Sequence, residues 1–493
     1  MNFIKHIFFA FLLLILAMAC SNNEYVNVIP KNAKAVIEVN MESLFGDIEK
    51  PDQIINKLHY LTKWGVPDSD TEFFSLLLNA EEKNGIELED PFYLYVLPGD
   101  YYGATFKVDD VDDVDEFFKM LNNKNLCGQI IEKDDRKWTE IKDDLSVVYN
   151  EHVLSVLYSD KITETMNMQS KLLSFEKNDA FINSDKFEKM KDMEGAVKWV
   201  FNSDFFYDFN KQKNDDYLNN LKAFLPEGTR PQDVAVSGGL IVEKGLSTIN
   251  LELFSTNKKI QKILEKEDDK YLKIKGDFIG APNDFTCWIG LGANGNDLVY
   301  KLKQFDDVKK YLNLIGLAID IETVIKAIKG DLAVVIPGNT DNNNDFIITA
   351  KLKNDDFLKS VSLWNDQMVD YGMKMDENAK NNFTLYADSL IINWGVENNN
   401  VYFASGNSFY KSAFAEKSDK LDDVKKDIKE SVLYVYVNVE SIMQKIIKDN
   451  EKAKKNDVWE YFAVSADNYR QYKISFVMKD HEKNVLQVLS EII

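Results

Sequence analysis

The residue best placed to do chemistry is a cysteine near the N-terminus. Lys5 gives a short positive start, Ile7 to Ala19 run apolar without a break, and Leu16-Ala17-Met18-Ala19 lead into Cys20. An apolar run of about 13 residues is too short to span a bilayer, which takes about 20. It has the size of a signal-peptide core. Small residues ending in Cys are what a lipoprotein signal peptidase cuts, after the thiol has taken a diacylglycerol through a thioether. Leu usually stands three residues before that Cys; here Ala17 does, with Leu16 one further back. The alternative is an ordinary secretory signal cut near Ala19. Ser21-Asn22-Asn23-Glu24 ends the apolar pattern at once, which argues against a core helix. Several acyl tails on one residue anchor stably where one is marginal. Residues 1–19 are therefore expected to be a lipoprotein signal, with lipidation at Cys20 and a tether over 20–34.

Other reactive constellations are thin. Gly290-Leu291-Gly292-Ala293-Asn294-Gly295 has the spacing of a dinucleotide loop, in which a pyrophosphate sits on a helix N-terminus, and Asp320 lies near the distance of a ribose-binding acid. Leu312 to Glu322, however, reads as one helix, and the glycines read as a loose strand-to-helix turn. The histidines beyond Cys20 are His59, His152 and His481, with no partnered nucleophile; no G-x-S-x-G occurs. Ser174-Phe175-Glu176-Lys177 fits S-x-x-K without its companion motifs, and His481-Glu482 lacks the second His of a zinc helix. Asp109 to Asp115 is rich in acid, but acids in a first helical turn answer the helix dipole. Thr340 to Asp345 alternates oxygen ligands without the Gly and distal Glu of a calcium loop. Tyr101-Tyr102 and Phe205-Phe206-Tyr207 could stack a sugar or a peptide, or simply pack. No catalytic residue, cofactor or metal is expected from these patterns.

Composition narrows the partners. Lys and Arg number 59 against 81 Asp and Glu, a net charge of −22, which excludes nucleic acid and opposes anionic lipid headgroups. An apolar fraction of 45 % and an aromatic fraction of 12 % belong to a globular chain. Besides Cys20 the cysteines are Cys127 and Cys287, which leaves a single disulfide open as an option.

The elements that would position any site repeat. Ala35-Val36-Ile37-Glu38-Val39-Asn40 recurs as Leu433-Tyr434-Val435-Tyr436-Val437-Asn438: a period-two strand, then Asn as a helix cap. Val197 to Asn202 and Cys287 to Asn296 open in the same way. Strands follow at Phe92–Leu97 and Leu332–Pro337, at Ala104–Val108 and Ile347–Leu352. Hairpins follow at Leu145–Tyr149 with Val153–Tyr158, and at Leu390–Trp394 with Val401–Ala404. Long hairpins from Ala235-Val236-Ser237 and from Ala463-Val464-Ser465 each lead into a last helix, Lys258–Glu265 and Lys483–Ile492. The expectation is an α+β chain of two homologous halves in tandem, each with antiparallel sheets and packed helices. The halves are 35–275 (subunits 35–170 and 190–275) and 276–493 (subunits 276–416 and 425–493), with Asn40 on Asn294 or a neighbour and Asn202 on Asn438.

The export signal, the opening Val28-Ile29-Pro30-Lys31-Asn32-Ala33-Lys34-Ala35-Val36 and the pair Gly330-Asp331 resemble a Bacteroidetes lipoprotein family, domain of unknown function 4836. The resemblance covers most of the chain and implies an envelope location, with no active residues to carry over. Two functions follow as expectations. One is a non-enzymatic envelope lipoprotein, a binding or structural module held to the membrane through the lipid on Cys20 and meeting an unidentified envelope protein or polymer. The other is a hydrolase of glycans or other envelope polymers, working through paired carboxylates. The outer membrane is the expected location, in either leaflet. A tether of about 14 residues, reaching at most about 50 Å, keeps the body close to it.

Overall fold

A computed structural model describes residues 23–46, 48, 73, 76–78, 83–133, 135–141, 145–159, 162–174, 177–202, 205, 222, 224–281, 285–315, 319–338, 345–369, 372–387, 390–405, 419–449 and 457–492. Cys20, His59 and the 340–344 part of the oxygen-rich run lie outside them.

Among the described residues, ten strands form before residue 255: β1 (Ala35–Val39), β2 (Phe92–Leu97), β3 (Tyr101–Lys107), β4 (Ile131–Lys133), β5 (Arg136–Ile141), β6 (Leu145–Tyr149), β7 (Val153–Tyr158), β8 (Val197–Asn202), β9 (Ala235–Val242) and β10 (Leu246–Phe254). Ten more follow: β11 (Phe285–Asn294), β12 (Ile328–Pro337), β13 (Ile347–Leu352), β14 (Lys374–Ala379), β15 (Asn382–Ala387), β16 (Leu390–Glu397), β17 (Asn400–Ser405), β18 (Leu433–Asn438), β19 (Trp459–Ala466) and β20 (Gln471–Met478).

All pair antiparallel in one sheet. Its first stretch runs β4-β5-β6-β7-β3-β2-β1-β8-β9-β10. The β10 edge then pairs with β20, from Leu246 opposite Val477 to Glu252 opposite Gln471. The second stretch runs β20-β19-β18-β11-β12-β13-β17-β16-β15-β14. Read outward from the β10–β20 seam, the two stretches have the same order, each strand matched by the one ten later. The fold is α+β with an antiparallel sheet, as the alternating strands require.

Asparagine caps open three of the four expected helices; after Asn202, which ends β8, residues 203 and 204 lie outside the described residues. Asn40 accepts from the Ser43 N–H at 2.7 Å, Asn294 from Asn296 at 3.2 Å and Asn438 from Ser441 at 3.3 Å. Two expectations need correction. Leu312 to Glu322 is not one helix: a helix spans Asp306–Ile315, and a second, Ile321–Lys326, starts where Asp320 accepts from the Thr323 N–H at 3.1 Å. A short polar side chain that takes up a free backbone N–H begins the second helix. Nor do the glycines form a loose turn. Gly290 and Gly292 lie inside β11, and Gly295 begins the helix Gly295–Leu302. A Cβ on Gly292 would stand 1.8 Å from the Leu272 carbonyl oxygen, and one on Gly295 1.9 Å from that of Ile325. They are glycines because other backbone passes there.

The segment joining the stretches is held by one acid. Asp331, 2 % exposed, accepts the Lys275 N–H on Oδ1 at 2.8 Å, and those of Gly276 and Asp277 on Oδ2 at 2.7 and 2.8 Å. Gly330 before it has φ +127°, which favours glycine. The Gly-Asp pair is thus a clasp.

Candidate apolar floor and junction cavity

Around the seam the middles of the strands alternate. On one face of β10 stand Ile249, Leu251 and Leu253; on the other stand Thr248, Asn250 and Glu252. The register carries each set across. Leu251 lies opposite Gly238, Gly238 opposite Trp199, Trp199 opposite Ile37, and Ile37 opposite Leu94. In the other direction Ile249 faces Ile474, followed by Val464, Val435, Ile289, Val334 and Ile348. No side chain in these files is charged. From β2 to β13 they cross eleven strands, about 48 Å at the usual strand spacing. The reverse face pairs Asn250 with Lys473 and Thr248 with Ser475. Only on β10 and β20 is the reverse face polar; on the neighbouring strands it carries the buried core residues Val36, Tyr93, Val200, Trp288, Val335 and Tyr436. The Trp199 indole lies over Gly238, where a Cβ would be 2.3 Å from the ring.

Helices pack at the ends of this floor. The helix Val485–Ile492 sets Val485 and Val488 against Met478, Val242 and Trp459. The helix Lys258–Asp268 sets Ile260 and Leu264 against Leu253 and Tyr469. Between them the floor residues Trp199, Leu251, Ile249, Ile474, Val464, Val435 and Ile289 are only half-buried, and Leu94 is exposed.

Where the floor reaches β11, a cavity of about 210 Å³ opens between the helix Lys258–Asp268 and the helix Gly295–Leu302. Phe224, Tyr271, Leu291, Leu298, Tyr300 and Phe305 give its apolar walls; Glu267, Lys270, Asn294, Asp297 and Lys301 its polar groups. Glu267 is 2 % exposed, with Oε2 at 2.6 Å from Lys270 Nζ and Oε1 at 3.2 Å from Lys301 Nζ. Both carboxylate oxygens are engaged in ion pairs, which hold this acid in the wall. Lys301 also lies 5.5 Å from the Tyr469 ring centroid, a cation–π contact. Tyr469 donates to the Phe224 carbonyl at 2.9 Å and stacks on Phe224 and Tyr271 at 5.5 and 6.0 Å. Burial pushes the Tyr271 phenol up to about 12, with the negative charges of Glu267 and Asp297 adding to it. The cavity is built from residues on both sides of the joining segment.

The other candidate residues are dispersed. Asp110 caps the helix Val111–Asn123, and Asp115 pairs with Lys137 and accepts from the Tyr149 hydroxyl at 2.9 Å. His152 sits in the β6–β7 turn, 3.8 Å from Glu24; His481 lies 3.3 Å from Glu460; both are exposed. Asp320 is a helix cap, far in role from a ribose ligand. Ser174 donates to the Lys171 carbonyl; Phe175 and Glu176 lie outside the described residues. Tyr102, 47 % exposed, lies 6.2 Å from Tyr158, and Phe205 stacks on Phe201 at 5.5 Å; Phe206 and Tyr207 are outside. Cys127 and Cys287 are free thiols, and Cys127 donates to the Phe118 carbonyl. Burial raises the pKa of both. Among the described residues no group of His, Cys, Asp and Glu could hold a metal ion, and no helix is long and apolar enough to cross a membrane. Sequence reasoning missed the cavity. Its signal was the Glu267-x-x-Lys270 pair beside aromatic Tyr271, which alone marks only a helix end.

Residues 25–486 match a family model described as Domain of unknown function (DUF4836). No curated protein matches the chain. Among solved structures, crystal forms IV and III of TP0453 are similar at 11 % identity and a TM-score of 0.28; each covers 51 % of this chain, and 88 and 89 % of its own. The DNA polymerase III beta chain from Streptococcus pneumoniae scores 0.09 at 9 % identity, over 90 % of this chain and 99 % of its own. Likenesses this slight carry no argument about fold or function.

Proposed function

The chain belongs to the DUF4836 family, and from that premise we propose that it is a non-enzymatic, lipid-anchored binding protein of the bacterial envelope, built from two homologous halves. The observation that carries the binding role is the junction cavity: aromatic walls, a few fixed polar groups, and contributions from both halves are what a ligand site needs. The tied oxygens of Glu267 favour binding over a carboxylate hydrolase there, since acid catalysis requires an acid within reach of substrate.

The halves are 35–275 and 276–493, and the matched strand order about the seam supports their common origin. The ladders also refine the alignment. With Asn40 on Asn294, Trp199 falls on Leu433 and Asn202 on Tyr436, two residues short of Asn438. Ala235 then falls on Ala463, as Asn202 opposite Ala235 and Tyr436 opposite Ala463 require. Anchoring through Cys20 places the body close to the outer membrane.

The test is a photo-crosslinking amino acid at Tyr300, which is 51 % exposed at the cavity mouth, in cells making the full chain. Crosslinking to an envelope component at 300, and none at Ile131 on the far edge, is the expected result. A clean lane at both positions removes the binding role. For the anchor, Cys20→Ala should abolish acyl labelling and release the chain from membranes; retention after a high-salt wash would count against lipidation. Protease added to intact cells tells the surface leaflet from the periplasmic one.

A further inference from the structure

The ligand class can be argued from the floor and the cavity together. They share Leu291: it stands on the apolar face of β11 and in the cavity wall. We propose that the occupant is an acyl chain, which makes the ligand of this protein a lipid; the inference rests on the binding role above.

The argument is one of hydrogen-bonding need. Across the files from Leu94 to Ile348 no side chain is charged and none offers an amide or carboxylate. A peptide laid there would leave its backbone N–H and C=O groups without partners, and a sugar its hydroxyls. Pairing with the sheet edge is closed as well, because the β10 edge is consumed by β20. An acyl chain has no such groups and gains from leaving water. The cavity, at about 210 Å³, admits a single chain and not a helix of a partner protein. Three of its polar groups, Glu267, Lys270 and Lys301, are joined by ion pairs. Glu267 neutralises one of Lys270 and Lys301, leaving one ammonium and the Asp297 carboxylate to meet a headgroup at the mouth. The reverse face of most of these strands is packed in the cores, whereas the floor residues are only half-buried and have room for a chain.

The experiment uses the full chain from residue 20 with Cys20→Ala, so that no acyl tail of its own competes. The probe is cis-parinaric acid, a fluorescent fatty acid, displaced by palmitate. Saturable binding at one probe per chain is expected. Leu291→Asp and Leu251→Asp should weaken it at least tenfold. Tyr300→Ala, at an exposed position that does not threaten folding, should weaken it at least threefold, and Ile131→Ser should leave it unchanged. Absence of saturable binding overturns the inference, as does parent-like affinity in the Tyr300 and Leu291 variants. If crosslinking at 300 captures a protein or glycan while the fatty acid fails to bind, the lipid ligand falls and the binding role stands. If nothing is captured at 300, the binding role itself falls.

Discussion

Removing the Asp331 clasp should loosen the segment that joins the two stretches of sheet. Its carboxylate is almost fully buried and accepts three backbone N–H groups, all within 2.8 Å. Hydrogen bonds to a charged acceptor contribute about 1.5–3 kcal/mol each. Asp331→Ala loses three of them, recovers the carboxylate's desolvation, and lets water reach donors that are only half-buried. A net loss of about 3–4 kcal/mol follows from these terms. Asp331→Asn keeps Oδ1 for Lys275 but turns an amide N–H₂ toward the Gly276 and Asp277 donors. It should therefore recover less than half of the loss. The global measurement is urea unfolding followed by tryptophan fluorescence; the local one is amide hydrogen exchange at Lys275, Gly276 and Asp277. Those three amides should be protected in the natural chain; all three should exchange freely in Asp331→Ala, and those of Gly276 and Asp277 in Asp331→Asn. A change below about 0.5 kcal/mol, or protection that survives Asp331→Ala, would refute the clasp.

Glu267→Ala should destabilise by about 1–2 kcal/mol, less than a fully buried pair because Lys270 is half-exposed, and Lys301→Met on that background should restore part of the loss in urea unfolding. Gly292→Ala drives a methyl into the Leu272 carbonyl, and thermal unfolding should report a loss of about 2–3 kcal/mol; a neutral result would mean that the backbone there yields freely. Stability should fall on the alkaline side. Burial raises the phenol pKa of Tyr93, Tyr436, Tyr469 and Tyr472, so the folded chain keeps protons that the unfolded chain begins to release near pH 10. Stability is whole below that pH and drops above it, by up to about 1.4 kcal/mol per pH unit for each tyrosine. Melting temperatures that stay level from pH 9 to 11.5 would contradict it.

Much of the strand pattern was legible because one face of each strand is covered. The hairpin Leu145–Tyr149 with Val153–Tyr158 is buried along its length, and its apolar runs show it. The outermost strands were not legible for the opposite reason. β14 reads Lys-Met-Asp-Glu-Asn-Ala and β4 reads Ile-Glu-Lys, exposed edges on which polar residues discourage further pairing and erase the period-two signal. The seam escaped as well. Ile249 and Ile474 are 225 residues apart, and nothing in either strand's composition names the other. The candidate site inherits that gap. Glu267 and Lys301 lie on helices from opposite sides of the joining segment, and Leu251 and Ile289 become one surface only once the strands are placed in order. The glycine triplet misled because spacing records where glycines are, while the reason for them is backbone passing from elsewhere in the chain.

The β10–β20 seam sets a timetable. β10 is complete at residue 254, and its partner begins only at residue 471. A chain emerging from its N-terminus therefore carries an unpaired edge, apolar on one face, while more than 200 further residues are made. Open edges of this kind recruit strands from other molecules. Two nascent copies could join β10 to β10, since the seam already pairs like positions of the two stretches. The edge thus stays open to such pairing until the chain's last hairpin arrives.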